Sequence, residues 1–266
     1  MISLSLATDP RSRSVRPLRT TADLVSAPYE DSIFHPASEL DDIKRLDNTS
    51  KAREISVFEA DPNGVAAEQF RLMQHRLSNI RPSGGSVLLT SPGAGDGKSL
   101  NAYNLAWALA EAGHSTLLLE LDLRRPSQNR YIPTPPPSSL VDVIHGETPA
   151  RSAVRRLGEV PLFYLGLTKP AAKPVKLLRS KALQDLLCWA RQTFSWIIID
   201  GPPVLAVADV EEILPNTDLV LLVVRERGTS RMMVERAVEH LGERLNFVIY
   251  NNVSLSSGYG YGYGYR

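Results

Sequence analysis

Apolar residues follow two alternating rhythms along this chain. Short continuous runs occur at Val87 to Thr90, Thr116 to Asp122, Pro161 to Gly166, Trp196 to Asp200, Asp218 to Val224 and Phe247 to Asn251. Each has the length of a buried strand. Between them, apolar positions recur at helical spacing. In Ala66 to Leu77, residues Phe70, Met73 and Leu77 share one face. Further helices are expected at Asn101 to Ala112, Ser139 to His145, about Val175 to Thr193, Val210 to Leu214 and Thr229 to Leu241, with a short one at Asp41 to Lys44. Gly113 and Gly146 fall where helices should stop. The alternation predicts an α/β fold: a mostly parallel central sheet with helices on both faces. Ligands in such sheets bind beyond the carboxyl ends of the strands.

The rhythm is missing at both ends. Residues 1 to 60 are polar, contain prolines and keep no period, which predicts a poorly ordered leader. It carries a small basic cluster at Arg11, Arg13, Arg16 and Arg19. Residues 61–253 form the expected folded domain. Residues 254–266 alternate glycine with Tyr259, Tyr261, Tyr263 and Tyr265, a composition that favours a flexible tail.

Composition narrows the function classes. A net charge of +1 gives no basic face for nucleic acid. The single cysteine, Cys188, excludes an internal disulfide framework and fits a reducing compartment. His35, His75, His114, His145 and His240 are scattered without metal-ligand spacing. The longest apolar run, Leu219 to Val224, is far short of the ~20 residues of a membrane span. The amino-terminal residues lack the basic and apolar regions of a signal peptide. These features together predict a cytoplasmic protein.

The chemistry gathers around Ser86-Val-Leu-Leu-Thr-Ser-Pro-Gly-Ala-Gly-Asp-Gly-Lys-Ser99. A strand feeds a loop with Gly93, Gly95 and Gly97, and Lys98-Ser99 opens a helix. Glycines let backbone N–H groups curl around an anion, and the helix N-terminus adds partial positive charge. In this P-loop arrangement the lysine reaches β/γ-phosphates and the serine hydroxyl ligates magnesium. Pro92 stands where the consensus has its first glycine, so the loop closes without that N–H. Glu120, Asp122 and Asp200 fall at the ends of two other strands, on the same expected rim. Arg124 and Arg125 are candidate clamps for phosphate or a phosphorylated side chain, with a solvated pair as the equal alternative.

These motifs together resemble the bacterial tyrosine kinases of capsule and exopolysaccharide synthesis, from roughly Ala66 to Arg266. Ser91-Pro-Gly-Ala-Gly-Asp-Gly-Lys-Ser99 resembles the family's Walker A motif. Leu118-Leu-Glu-Leu-Asp-Leu-Arg-Arg-Pro126 resembles its Walker A′, and Ile197-Ile-Ile-Asp-Gly-Pro-Pro-Val-Leu205 its Walker B. The tyrosine tail resembles its autophosphorylation cluster. The resemblance implies a P-loop NTPase-like kinase using ATP and Mg²⁺, with nucleotide contacts at Gly93, Ala94, Gly95, Asp96, Gly97, Lys98, Ser99 and Leu100. Asn251 corresponds to an asparagine near the adenine. The implied metal positions are Ser99, Asp122 and Asp200, and the implied catalytic groups are Lys98, Glu120, Asp122 and Asp200. Glu120 replaces an aspartate that is a base candidate, so Glu120→Asp is expected to preserve or raise activity.

The family's oligomerisation helix reads E-x-x-R-x-x-R. Glu68 and Arg71 fit it, while Gln74 replaces the last arginine. A neutral amide cannot stand in for a guanidinium in an intersubunit ion pair. The resemblance also implies a homo-oligomer, recruitment to the inner membrane face by a separate membrane-spanning co-polymerase or activator, and an opposing tyrosine phosphatase. Two other readings compete: an ATPase switch of the partition and cell-division type, and a nucleotide-binding scaffold without kinase activity. The switch type usually carries a second lysine where this chain has Gly93.

Overall fold

The structure is a computed structural model that describes residues 3–6, 40, 42–46, 56–132 and 136–253. Eight strands form one sheet: β1 (Ser3–Leu6), β2 (Gly85–Thr90), β3 (Thr116–Glu120), β4 (Arg155–Leu157), β5 (Leu162–Leu165), β6 (Trp196–Asp200), β7 (Leu219–Arg225) and β8 (Phe247–Asn251). Their order across the sheet is β1-β8-β7-β2-β6-β3-β5-β4. The six inner strands are parallel, and β1 and β4 close the two edges antiparallel.

Alternation along β2 shows how the sheet is sandwiched. Val87 and Leu89 face one helical layer and Leu88 faces the other. On the first face lie α1 (Val57–Ala60), α2 (Val65–Ile80) and α3 (Lys98–Glu111). Phe70, Met73 and Leu77 of α2 are buried there, as the spacing requires. Burying each such side chain contributes about 2 kcal/mol. The second face is covered by α4 (Leu140–Ile144), α5 (Ala150–Ala153), α6 (Pro174–Leu178), α7 (Lys181–Thr193), α8 (Asp209–Ile213) and α9 (Arg231–Leu241).

Several boundaries differ from the sequence expectation. The helix expected over Val175 to Thr193 is two helices, α6 and α7. Ser180 takes an extended backbone between them, and its hydroxyl accepts from the Leu183 N–H as an N-cap. The short helix expected at Asp41 to Lys44 is absent among the described residues. Ile43 is instead buried in the core, and Arg45 bridges to Arg156. The expected leader contributes more than a tail. It supplies β1, Ile43 and all of α1, opened by a Ser56/Glu59 capping box and anchored by buried Phe58. The basic cluster Arg11 to Arg19 and tyrosines 259, 261, 263 and 265 lie outside the described residues.

The order of the central strands sets the position of the site. β6 lies between β2 and β3, with Leu89 and Glu120 both registered against Asp200. The carboxyl ends of three strands distant in sequence are therefore neighbours.

Candidate nucleotide site

The loop after β2 turns into α3 through Gly97, which has a φ of +95°. An L side chain there is strained, and a Cβ would collide with the Asn251 amide. The loop is braced from within and from behind. Asp96 Oδ2 accepts from the Gly93 N–H at 3.1 Å, and Thr229 Oγ donates to Asp96 Oδ1 at 2.7 Å. Asn251 Nδ2 donates to the Asp96 carbonyl at 2.9 Å. Of the residues expected to contact nucleotide, Asp96 and Asn251 thus also hold the loop's shape. Around Pro92, the Ser91 hydroxyl and the Asp96 side chain brace the turn. Ser91 Oγ donates to the Gly93 carbonyl at 2.6 Å.

Lys98, Ser99, Asp122 and Asp200 meet as the motifs imply. Lys98 Nζ lies 2.9 Å from Asp122 Oδ2 and 3.3 Å from Asp200 Oδ1. It is also 3.3 Å from Ser99 Oγ. All four residues are buried. Burial works against the lysine's charge. The Asp200 and Asp122 carboxylates outweigh it and hold the ammonium above its usual pKa. Asp122 joins the site because the chain leaves strand geometry after Glu120. The N–H groups of Leu121 and Asp122 both donate to the Asp200 carbonyl, and the chain turns inward.

Glu120 is placed differently from the expectation. Its side chain is fully buried, and its carboxylate is bound by the turn after β3 and by Tyr164 and Leu167. One oxygen accepts from the Ser127 N–H and from the Gln128 N–H, the latter at 2.9 Å. The other accepts from Tyr164 Oη at 3.1 Å and the Leu167 N–H at 3.2 Å. Burial, reinforced by the charge of Asp200, pushes this carboxyl up to about 7, while the three backbone N–H groups pull it down. Both oxygens of the Glu120 carboxylate are thus engaged by four donors, which tie the turn after β3 to the segment after β5. The added methylene relative to aspartate is what lets it span both groups.

The arginines after β3 resolve in part. Arg124 forms a two-pronged pair with buried Asp209 at the start of α8, at 2.8 and 3.0 Å, which commits it to the fold. Arg125 is exposed beside it. Sequence reading missed Ser127 and Gln128. Ser127 Oγ donates to Ser99 Oγ at 2.7 Å. Gln128 Nε2 donates to Asp200 Oδ2 at 2.8 Å and to the Ser99 carbonyl at 3.0 Å. Nothing in the residue pattern marks them, because their place depends on a turn that Glu120 closes.

The donor set suits magnesium, which takes one or two carboxylates and a hydroxyl and otherwise keeps water and phosphate oxygens. Ser99, Asp122 and Asp200 would hold it. Two buried side-chain acceptors among the described residues have no partner, Asn101 Oδ1 and Gln128 Oε1. Both belong to residues that hydrogen-bond to the loop or the first turn of α3.

The proposed oligomerisation pair is also placed. Arg71 donates to Glu111 through Nε and Nη2 at 2.7 and 2.9 Å, and to the Pro62 carbonyl at 2.9 Å. Glu68 lies 3.6 Å away. Arg71 is therefore engaged within its own chain, between α2 and α3. Among the described residues no helix is long and apolar enough to cross a membrane.

No family model matches the chain. It is 29% identical over 217 residues to the tyrosine-protein kinase YwqD of Bacillus subtilis, covering 80% of this chain and 92% of that one. It is 31% identical over 223 residues to the tyrosine-protein kinase ptk of Acinetobacter johnsonii, of which it spans only 30%. The crystal structure of the chimerical protein CapA2B2 superposes with a TM-score of 0.70 at 25% identity, over 77% of this chain and 95% of that one. With sequence, topology and loop chemistry in agreement, the chain belongs to the bacterial tyrosine kinases of capsule and exopolysaccharide synthesis, built on a P-loop ATPase fold.

Proposed function

We propose that this chain transfers the γ-phosphoryl group of ATP to the hydroxyls of Tyr259, Tyr261, Tyr263 and Tyr265, and so regulates polysaccharide synthesis and export. The observation that carries the reading is the buried meeting of Lys98 with Asp122, Asp200 and the Ser99 hydroxyl. Phosphoryl transfer asks little covalent work of a protein and depends on positioning and charge neutralisation. Loop N–H groups and Lys98 receive the phosphates. Magnesium, when bound, neutralises charge on the phosphate oxygens. Ser99, Asp122 and Asp200 would hold the metal, and Lys98, now paired with the two carboxylates, would turn to the phosphates. With Glu120 withdrawn, Asp122 is the carboxylate left to accept the tyrosine proton. The phenolic oxygen bonds to phosphorus, the bond to the β-phosphate oxygen breaks, and ADP leaves.

A glycine-tyrosine tail suits an acceptor, because glycine lets each ring enter the site in turn and a tail reaches a neighbouring subunit at high effective concentration. The same reading implies a homo-oligomer, a cytoplasmic protein recruited to the membrane by a separate membrane-spanning activator, and an opposing tyrosine phosphatase. The test is incubation with Mg·ATP and blotting for phosphotyrosine. Wild type is expected to label and Lys98→Met to stay blank. ATP hydrolysis without label would instead favour an ATPase switch.

A further inference from the structure

The turn that Glu120 closes reaches into the nucleotide site by a route the family motifs do not include. Ser127 and Gln128 receive no direction from a strand or a long helix. Their backbone N–H groups are fixed on one oxygen of a fully buried carboxylate. From that anchor, Ser127 Oγ meets Ser99 Oγ, and the Gln128 amide spans the Ser99 carbonyl and Asp200 Oδ2. Gln128 is completely buried, yet its Oε1 has no hydrogen-bond partner. A buried acceptor left unpaired is costly, and native proteins retain one where a ligand or water completes it.

We propose that Gln128 is a positioning residue of the magnesium site: its Nε2–H fixes the Asp200 carboxylate, and its Oε1 accepts a hydrogen bond from a metal-bound water. The inference rests on the Mg·nucleotide reading above and deepens it. Two facts favour this role over a purely structural one. The amide's donors go to the carboxylate and to the residue expected to hold the metal, not to the turn that carries it. The atom left over is an acceptor, which matches the water of a hydrated cation, since such water can only donate. Holding Asp200 Oδ2 also leaves Oδ1 to Lys98. Glu120 acts one step further out by fixing the Gln128 backbone.

The test is Mn²⁺ binding to the full chain with ADP, read from the loss of the free Mn²⁺ electron paramagnetic resonance signal. ADP affinity in EDTA is measured in parallel. Gln128→Met keeps the length and removes both hydrogen-bonding roles. Mn²⁺ affinity is expected to fall about tenfold or more, the range of outer-shell changes at metal sites, while metal-free ADP affinity stays within about twofold, because only the metal's surroundings change. Mn²⁺ affinity equal to wild type would overturn the inference and leave the nucleotide reading standing. If wild type binds no ADP at all, both fall. Should Gln128→Met not fold by circular dichroism, Gln128→Asn keeps a polar amide one methylene short. An intermediate loss of Mn²⁺ affinity is then expected, and none would overturn the role.

Discussion

The ammonium of Lys98 sits 2.9 Å from the carboxylate of Asp122, with both side chains almost wholly removed from solvent. Together with Asp200 this makes a compact charge cluster in which a cation holds two anions at the mouth of three strands. Removing one partner of such a buried pair leaves uncompensated charge. Lys98→Met should therefore do more than abolish phosphotransfer. It should destabilise the protein by about 3 kcal/mol in EDTA, and added Mg²⁺ should recover part of that loss by replacing the missing positive charge. Thermal melts with and without Mg²⁺ measure this. Equal stability of wild type and variant in EDTA would show that the lysine is not holding the carboxylates in solution.

The loop's shape depends on Gly97 and Asn251. Gly97→Ala forces a side chain onto a φ of +95° and into the Asn251 amide, and should abolish nucleotide binding. Asn251→Ala leaves the glycine free and removes one hydrogen bond to the Asp96 carbonyl, worth about 1 kcal/mol. Calorimetry should show ADP affinity lowered about fivefold in that variant, as that energy implies.

Glu120 separates a clamp from a base. A clamp requires reach to Ser127 and Gln128 on one side and to Tyr164 and Leu167 on the other. Glu120→Asp cannot span both, and should lose about 2 kcal/mol of stability, as expected when buried hydrogen-bond donors lose an acceptor. Its kinase activity should fall as well, the opposite of what the family motif alone implies. A base would behave otherwise: Glu120→Gln would silence the chemical step with the melting temperature unchanged.

Arg71 tests assembly. Its pairing with Glu111 in the same chain predicts that Arg71→Ala loosens α2 against α3 by about 1 kcal/mol without changing the sedimentation coefficient, since both partners are only partly buried. A shift to smaller species in the ultracentrifuge would show that the arginine also bridges subunits.

His114 follows α3, and burial lowers its pKa. A histidine whose folded pKa is depressed contributes stability that is present above its unfolded value of about 6.5 and is lost as pH falls through the folded value. Wild type should therefore lose more melting temperature than His114→Gln between pH 7 and pH 5.5. Parallel curves for the two proteins would contradict the shift.

Much of this fold was legible because its strands are continuous apolar runs, as parallel strands buried on both faces must be. Trp196–Asp200 and Phe247–Asn251 match expectation residue for residue. The edges were not legible. β4, Arg155–Leu157, is a short polar segment that reads as loop, and α7 begins at a serine cap inside a longer helical pattern. Lys98, Ser99, Asp122 and Asp200 were found because motif spacing encodes strand ends. The surroundings of Glu120 were not legible, because they depend on where the chain goes after the strand. Gln128 left no signal, since its contacts with Asp200 and Ser99 follow from the order β2-β6-β3 and from the turn itself.

The most direct test of the account is the phosphorylation state of the tail. Wild-type protein and Lys98→Met are incubated with Mg·ATP, and the peptide carrying residues 254–266 is mapped by tandem mass spectrometry. The account predicts phosphate on Tyr259, Tyr261, Tyr263 and Tyr265 in wild type and none in the variant. An unmodified tail in wild type, or equal phosphate in both proteins, would contradict it.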